Sequence, residues 1–140
     1  MWEDWEGKLS LCHSSYLHVG SWFVEGLAGI QPGPAGQGYH NFILRPASWK
    51  ACPLEWMKCR FDSPYGPIES AWRRAPTGVD YEFAVPPNSS ATLFLPPASS
   101  GAESEAGALA RAQGVQEQRQ GERRALRLES GRHRFHLDNP

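Results

Sequence analysis

The chain has 140 residues, with 14 Lys and Arg against 15 Asp and Glu and a net charge of −1. That length suits one ordinary domain with a real core, since single hydrophobic cores are usually built from about 100–200 residues. Balanced charge leaves no electrostatic footprint for nucleic acid, and no apolar run approaches the roughly 20 residues that cross a bilayer, so neither partner is expected.

The chain opens on MWEDWEG, where Trp2 and Trp5 flank Glu3 and Asp4, with Glu6 beside them. Aromatic faces next to carboxylates suit a sugar site: a ring packs on the C–H face of a pyranose, and carboxylates do acid and base work in glycosidases. The same residues also read as a frayed acidic terminus with two indoles. Residues 1–30 lack the basic start and cleavage pattern of a secretory signal, and the compartment stays unknown. His13 and His18 follow at i, i+5, a spacing that does not bring two imidazoles onto one helix face. No third ligand follows at a useful distance, so no metal is expected.

Residues 14–29, SSYLHVGSWFVEGLAG, carry Tyr16, Val19, Gly20, Phe23, Val24 and Leu27 on one helical stripe. Ser14 or Ser15 can cap the start, and Gly29 can end the helix in the left-handed conformation. The stripe needs an apolar surface to lie against. Residues 31–38, QPGPAGQG, have no periodicity and read as a connection.

Short runs bounded by turn residues come next: YHNFILRP, LEWMKCRF, GPIESAWRR, VDYEFAVP, SATLFLP, ALRLES and RHRFHLD. Six Trp, twelve Pro and fourteen Gly suit short strands and tight turns. In VDYEFAV, Val79, Tyr81, Phe83 and Val85 alternate with Asp80, Glu82 and Ala84, which predicts one buried and one solvated face. Ile68, Ser70 and Trp72 likewise alternate with Glu69, Ala71 and Arg73, and the strand tryptophans Trp56 and Trp72 are both expected in the core. SPYG, APTG and ESG each supply a reversal. Asn88, Ser89 and Ser90 fit a glycosylation pattern, but Pro86 and Pro87 before them point to a turn.

Residues 97–122 hold only Leu109 and Val115 as large apolar residues and read as a mobile insertion, with at most a transient helix around 107–120. Cys12, Cys52 and Cys59 form an odd set without metal-ligand spacing and read as reduced, buried thiols. The fold class is mainly β: an antiparallel β-sandwich of about seven to eight strands preceded by one α-helix.

In order and spacing these segments resemble the C-terminal end of bacterial alpha-L-rhamnosidases, glycoside hydrolases with an (α/α)6-barrel catalytic domain followed by a β-sandwich. WEDW resembles the Trp-Glu-x-Trp segment that closes the barrel, SLCH a Ser-x-Asn-His stretch, and GSWF with AGI the helix after it. GYHNFILRP, DSPYGPIESAWRR, VPPNSSATLFLP and ESGRHRF resemble successive strands and turns of the sandwich.

The resemblance implies that residues 1–30 end the catalytic barrel, 31–37 link, and 38–140 form the C-terminal sandwich with the insertion at 97–122. It implies Glu3 as general base, Trp2 and Trp5 as aromatic residues of its motif at the substrate, and His13 in the rhamnose subsite. The general acid would lie upstream, so the chain is expected to be a fragment inactive by itself. The intact enzyme would remove terminal alpha-L-rhamnose from glycosides or polysaccharides with inversion and without a cofactor, its partner being the upstream barrel of the same chain. Cys12 stands where the family carries Asn, so any hydrogen bond from that amide is lost. The alternative is a non-catalytic module that binds carbohydrate or stabilises the barrel. Trp56 and Trp72 exposed side by side would favour sugar binding.

Overall fold

The computed structural model describes residues 18–34, 38–47, 53–94, 116–120 and 123–138, the side chains of 116–120, 123, 124 and 138 excepted. The first element is helix α1, His18–Trp22, which continues as a π-helical turn over Phe23–Leu27. The Ala28 N–H donates to the Phe23 carbonyl at 3.0 Å, the i to i−5 bond of that wider turn. Gly29 then adopts φ +73° and ends the helix as its sequence predicts.

Nine strands follow among the described residues: β1 Ile30–Pro32, β2 Asn41–Leu44, β3 Trp56–Ser63, β4 Gly66–Ala75, β5 Gly78–Val85, β6 Ser90–Leu93, β7 Gln116–Gln120, β8 Arg123–Leu128 and β9 Gly131–Asp138. They form a five-stranded sheet in the order β1-β2-β6-β8-β7 and a four-stranded sheet in the order β3-β4-β5-β9. All seven expected runs contain a strand. β1 takes the first two residues of the expected linker, and β7 occupies the stretch where a transient helix was expected.

The four-stranded sheet is built from long antiparallel ladders. Ser63 pairs with Gly66 and Ala75 with Gly78, so two residues close each of the first two hairpins. The Ser63 hydroxyl accepts from the Tyr65 N–H at 3.2 Å and donates to the Gly66 carbonyl at 2.7 Å, which fixes the first of those turns. β9 returns beside β5 with Tyr81 opposite Phe135.

The five-stranded sheet is shorter and mixed. β2 lies parallel to β6, with Asn41 opposite Ser90, which departs from the all-antiparallel expectation. Parallel neighbours need a long crossover, and here that crossover contains the first three strands of the other sheet. The predicted ESG reversal also differs: β8 and β9 belong to different sheets, so Glu129 and Ser130 carry the chain across the sandwich. Asn88 sits at φ 55° after the two prolines, a left-handed position that Asn tolerates, consistent with the predicted turn.

The inner faces of both sheets merge in one apolar cluster. Phe42, Leu44, Leu93 and Leu128 come from one sheet, and Ile68, Trp72, Val79, Tyr81, Phe83 and Phe135 from the other. Val79, Tyr81, Phe83 and Val85 are all buried while Asp80 is exposed, as the alternation requires. Phe83 lies near-parallel to Tyr81 at 6.2 Å and tilted against Phe135 at 6.3 Å between ring centroids.

Candidate functional site

Trp2, Glu3, Trp5 and His13, with Cys12 beside the last, all lie outside the described residues. The described chain begins five positions after His13, on the helix that follows it. That helix leaves several large apolar side chains bare: Val19 and Phe23 of the stripe are 57% and 52% exposed, and Trp22 beside them 57%. Trp22 and Phe23 pack edge to face on each other at 5.4 Å between centroids. The helix reaches the core at Leu27 and Ala28, with half-buried Val24 packed against it.

The end of the helix is locked to the sandwich by backbone geometry. The Arg45 N–H donates to the Gly29 carbonyl at 2.8 Å, and the Ala47 N–H to the Leu27 carbonyl at 3.1 Å. A Cβ on Gly29 would sit 2.0 Å from the Arg45 carbonyl carbon and oxygen, so this approach needs glycine for space as well as for its φ. The Ser70 hydroxyl, fully buried on β4, donates to the Ala28 carbonyl at 2.8 Å. This bond satisfies an acceptor freed at the helix end. Sequence alternation put Ser70 on the inner face, and its role there depends on a residue 42 positions away.

Gln31 Nε2 also reaches the Glu25 carbonyl at 3.0 Å, tying β1 to the helical turn. Beside it, Tyr39 packs on Phe61 at 4.7 Å between centroids. Burial, and secondarily the charge of Glu25, pushes the Tyr39 phenol above its ordinary range.

The second feature is the outer face of the four-stranded sheet. Here Trp56, on edge strand β3, is 61% exposed, whereas Trp72 is buried at 2%. The expectation that both tryptophans enter the core is corrected for Trp56, and the side-by-side exposed pair does not occur. The parity of WMKCRF carried that signal: Met57 is buried and Cys59 and Phe61 are half-buried, so Trp56 shares the outward face with Lys58 and Arg60.

Register sets the outward residues in rows across four strands. Trp56, Arg73, Asp80 and His136 form one row, and Lys58, Ala71, Glu82 and Arg134 the next. They line an open groove of about 710 Å³. Its carboxylates are engaged: Asp80 with His136 at 2.6 Å, and Glu82 with Arg134 and Arg132 at 3.3 Å each.

Within the core, the Trp72 Nε1 and Tyr81 hydroxyl lack hydrogen-bond partners among the described residues, and burial raises the Tyr81 phenol well above its usual range. Burial also raises the Cys59 thiol, which disfavours the reactive thiolate. Among the described residues no cluster of three His, Cys, Asp or Glu side chains could hold a metal. No described helix is long and apolar enough to cross a membrane.

Comparison with known proteins gives this architecture a family. Residues 29–110 match the model of the bacterial alpha-L-rhamnosidase C-terminal domain. An alpha-L-rhamnosidase of Formosa agariphila is 32% identical over 87 residues, which cover 62% of this chain and 9% of that protein. One from an Alteromonas species is 31% identical over 108 residues, covering 69% of this chain and 11% of that protein. The crystal structure of the Streptomyces avermitilis alpha-L-rhamnosidase complexed with L-rhamnose superposes on 90% of this chain and 11% of its own length. Its TM-score is 0.66, at 26% identity. The alpha-L-rhamnosidase from Dictyoglumus thermophilum shares the fold over 99% of this chain and 16% of its own, with a TM-score of 0.68 at 20% identity. The chain thus spans about a tenth of the length of the curated relatives it matches. With more than half of its residues inside that model, the chain belongs to the bacterial alpha-L-rhamnosidase C-terminal domain family.

Proposed function

We propose that the chain is the C-terminal part of an alpha-L-rhamnosidase, an inverting glycoside hydrolase that removes terminal alpha-L-rhamnose from glycosides or polysaccharides. The observation that carries this reading is the match of residues 29–110 to a domain that ends rhamnosidases. The exposed apolar residues of the helix support it, because a helix that exposes Val19, Trp22 and Phe23 calls for a further surface to pack against. In this reading residues 1–30 finish the (α/α)6 barrel, 31–37 link, and 38–140 form the sandwich with the insertion at 97–122, while Ile30–Pro32 and Gln116–Gln120 pair into the sandwich sheet as its two edge strands.

Glu3 then serves as the general base that takes a proton from the attacking water, across the sugar from a general acid supplied by the upstream barrel. Inversion requires the two carboxyl groups about 6.5–9.5 Å apart, leaving room for that water. His13 lines the rhamnose subsite, and Trp2 and Trp5 belong to the aromatic surround of Glu3. By itself the chain holds one half of this pair and is inactive, since positioning both carboxyl groups is the mechanism. Glu3→Gln in the intact enzyme should lower kcat on an aryl rhamnoside by about 10²–10⁴-fold with little change in KM. Full activity of that variant overturns the assignment.

A further inference from the structure

We propose that the outer face of the four-stranded sheet is a saccharide-binding groove with a preference for a sugar that carries a carboxylate. The groove, about 710 Å³, is floored by Ala71, whose small side chain opens the centre of the sheet between longer neighbours. Trp56 stands at one edge with 61% of its surface exposed. An indole held there on a ladder strand is a rigid apolar platform, and it fits the C–H face of a pyranose better than it fits water. Two tryptophans side by side are not needed, because the rest of the groove is polar.

The charge pattern sets the ligand class. Asp80 and Glu82 already engage His136 and Arg134, and a carboxylate so engaged still has acceptor sites for sugar hydroxyls. Arg73, directly opposite Trp56 in the register, and Lys58, one row along, have no carboxylate partner among the described residues. Two such cations beside an aromatic platform complement an anionic sugar, and the arginine fork fits a carboxylate in bidentate geometry. A neutral sugar would use the platform and leave both cations unmatched. The groove is lined by none of the candidate catalytic residues, so the proposal stands or falls independently of the catalytic assignment.

The test is calorimetric titration of the 140-residue chain with a galacturonate tetrasaccharide and, in parallel, a neutral xylotetraose. The acidic sugar should bind roughly tenfold or more tightly than the neutral one, and added salt should narrow the gap. Trp56→Ala, a change at an exposed position, should weaken the acidic sugar roughly tenfold or more. Arg73→Gln with Lys58→Gln should abolish the preference. No binding of either sugar at millimolar concentration, binding unaffected by Trp56→Ala, or equal affinity for the two sugars each overturns the proposal.

Discussion

The helix at His18–Leu27 and the sandwich that follows dispose of the same kind of residue in opposite ways. In the sandwich, Phe83, Leu44, Ile68 and Leu93 are fully buried, and the two inner faces close on each other. In the helix, Val19, Trp22 and Phe23 are more than half exposed, and only the last turn meets the core. The inner faces of the sandwich therefore satisfy each other, whereas the helix is joined to them at one end and keeps Val19, Trp22 and Phe23 uncovered among the described residues. The difference teaches that apolar periodicity reports that a face will be buried and says nothing of what will bury it.

The joint between the two regions is where the comparison is easiest to break. Gly29→Ala places a methyl against the Arg45 carbonyl at a positive φ. It should cost about 3 kcal/mol, seen as a lower midpoint in urea unfolding. Ser70→Ala leaves the Ala28 carbonyl without its buried donor and should cost about 1–3 kcal/mol by the same measurement. If both variants unfold like the parent chain, the joint is not a structural lock.

The core can be probed through Tyr81, whose hydroxyl is buried without a partner among the described residues. Burial raises its pKa above the ordinary 10.0, so the folded state keeps a proton that the unfolded state releases. The stability this contributes is complete below pH 10 and is lost as pH rises further, by up to about 1.4 kcal/mol per pH unit. Tyr81→Phe should leave stability near pH 7 unchanged or slightly higher, because it removes an unsatisfied group, and should flatten the loss above pH 10. An unchanged alkaline slope would place the titration on other groups.

The smallest effect is expected on the helix. Replacing Trp22 and Phe23 together by Ser should shift the unfolding free energy of this chain by no more than about 0.5 kcal/mol, since neither reaches the core. A large loss would mean that the stripe is already covered within the chain, and the contrast between the two regions would fail.

Much of the sandwich was legible because its strands are half-buried and their alternation is long enough to read. β4 and β5 each show several inward residues in strict alternation, and both placements hold. The two strands that escaped reading are β1 and β7, the two edges of the five-stranded sheet. β1 has three residues and ends on Pro32, and β7 is Gln-Glu-Gln-Arg-Gln. Edge strands are commonly short, polar or interrupted by proline, so they lack the hydrophobic signature. Trp56 departs from the expected core position because the alternation of its own strand sets it outward with Lys58 and Arg60.

The candidate catalytic residues were legible only through resemblance, since a short acidic and aromatic segment has no periodicity to anchor it. The groove on the outer face shows the complementary case. Trp56, Arg73, Asp80 and His136 are scattered along the chain, and the ladder register alone sets them in one row.

By itself the sequence determined what is encoded locally: which residues alternate into strands, where Gly29 ends the helix, and where the prolines and Asn88 turn the chain. These follow from side-chain volume, solvation and backbone sterics within a few residues. The tertiary structure decided what depends on pairing at a distance: the parallel meeting of β2 and β6, the crossing from β8 to β9 between sheets, the bond from Ser70 to Ala28, and the groove beside Trp56. Each joins groups far apart in the chain, and only closure of a shared core sets the register between them.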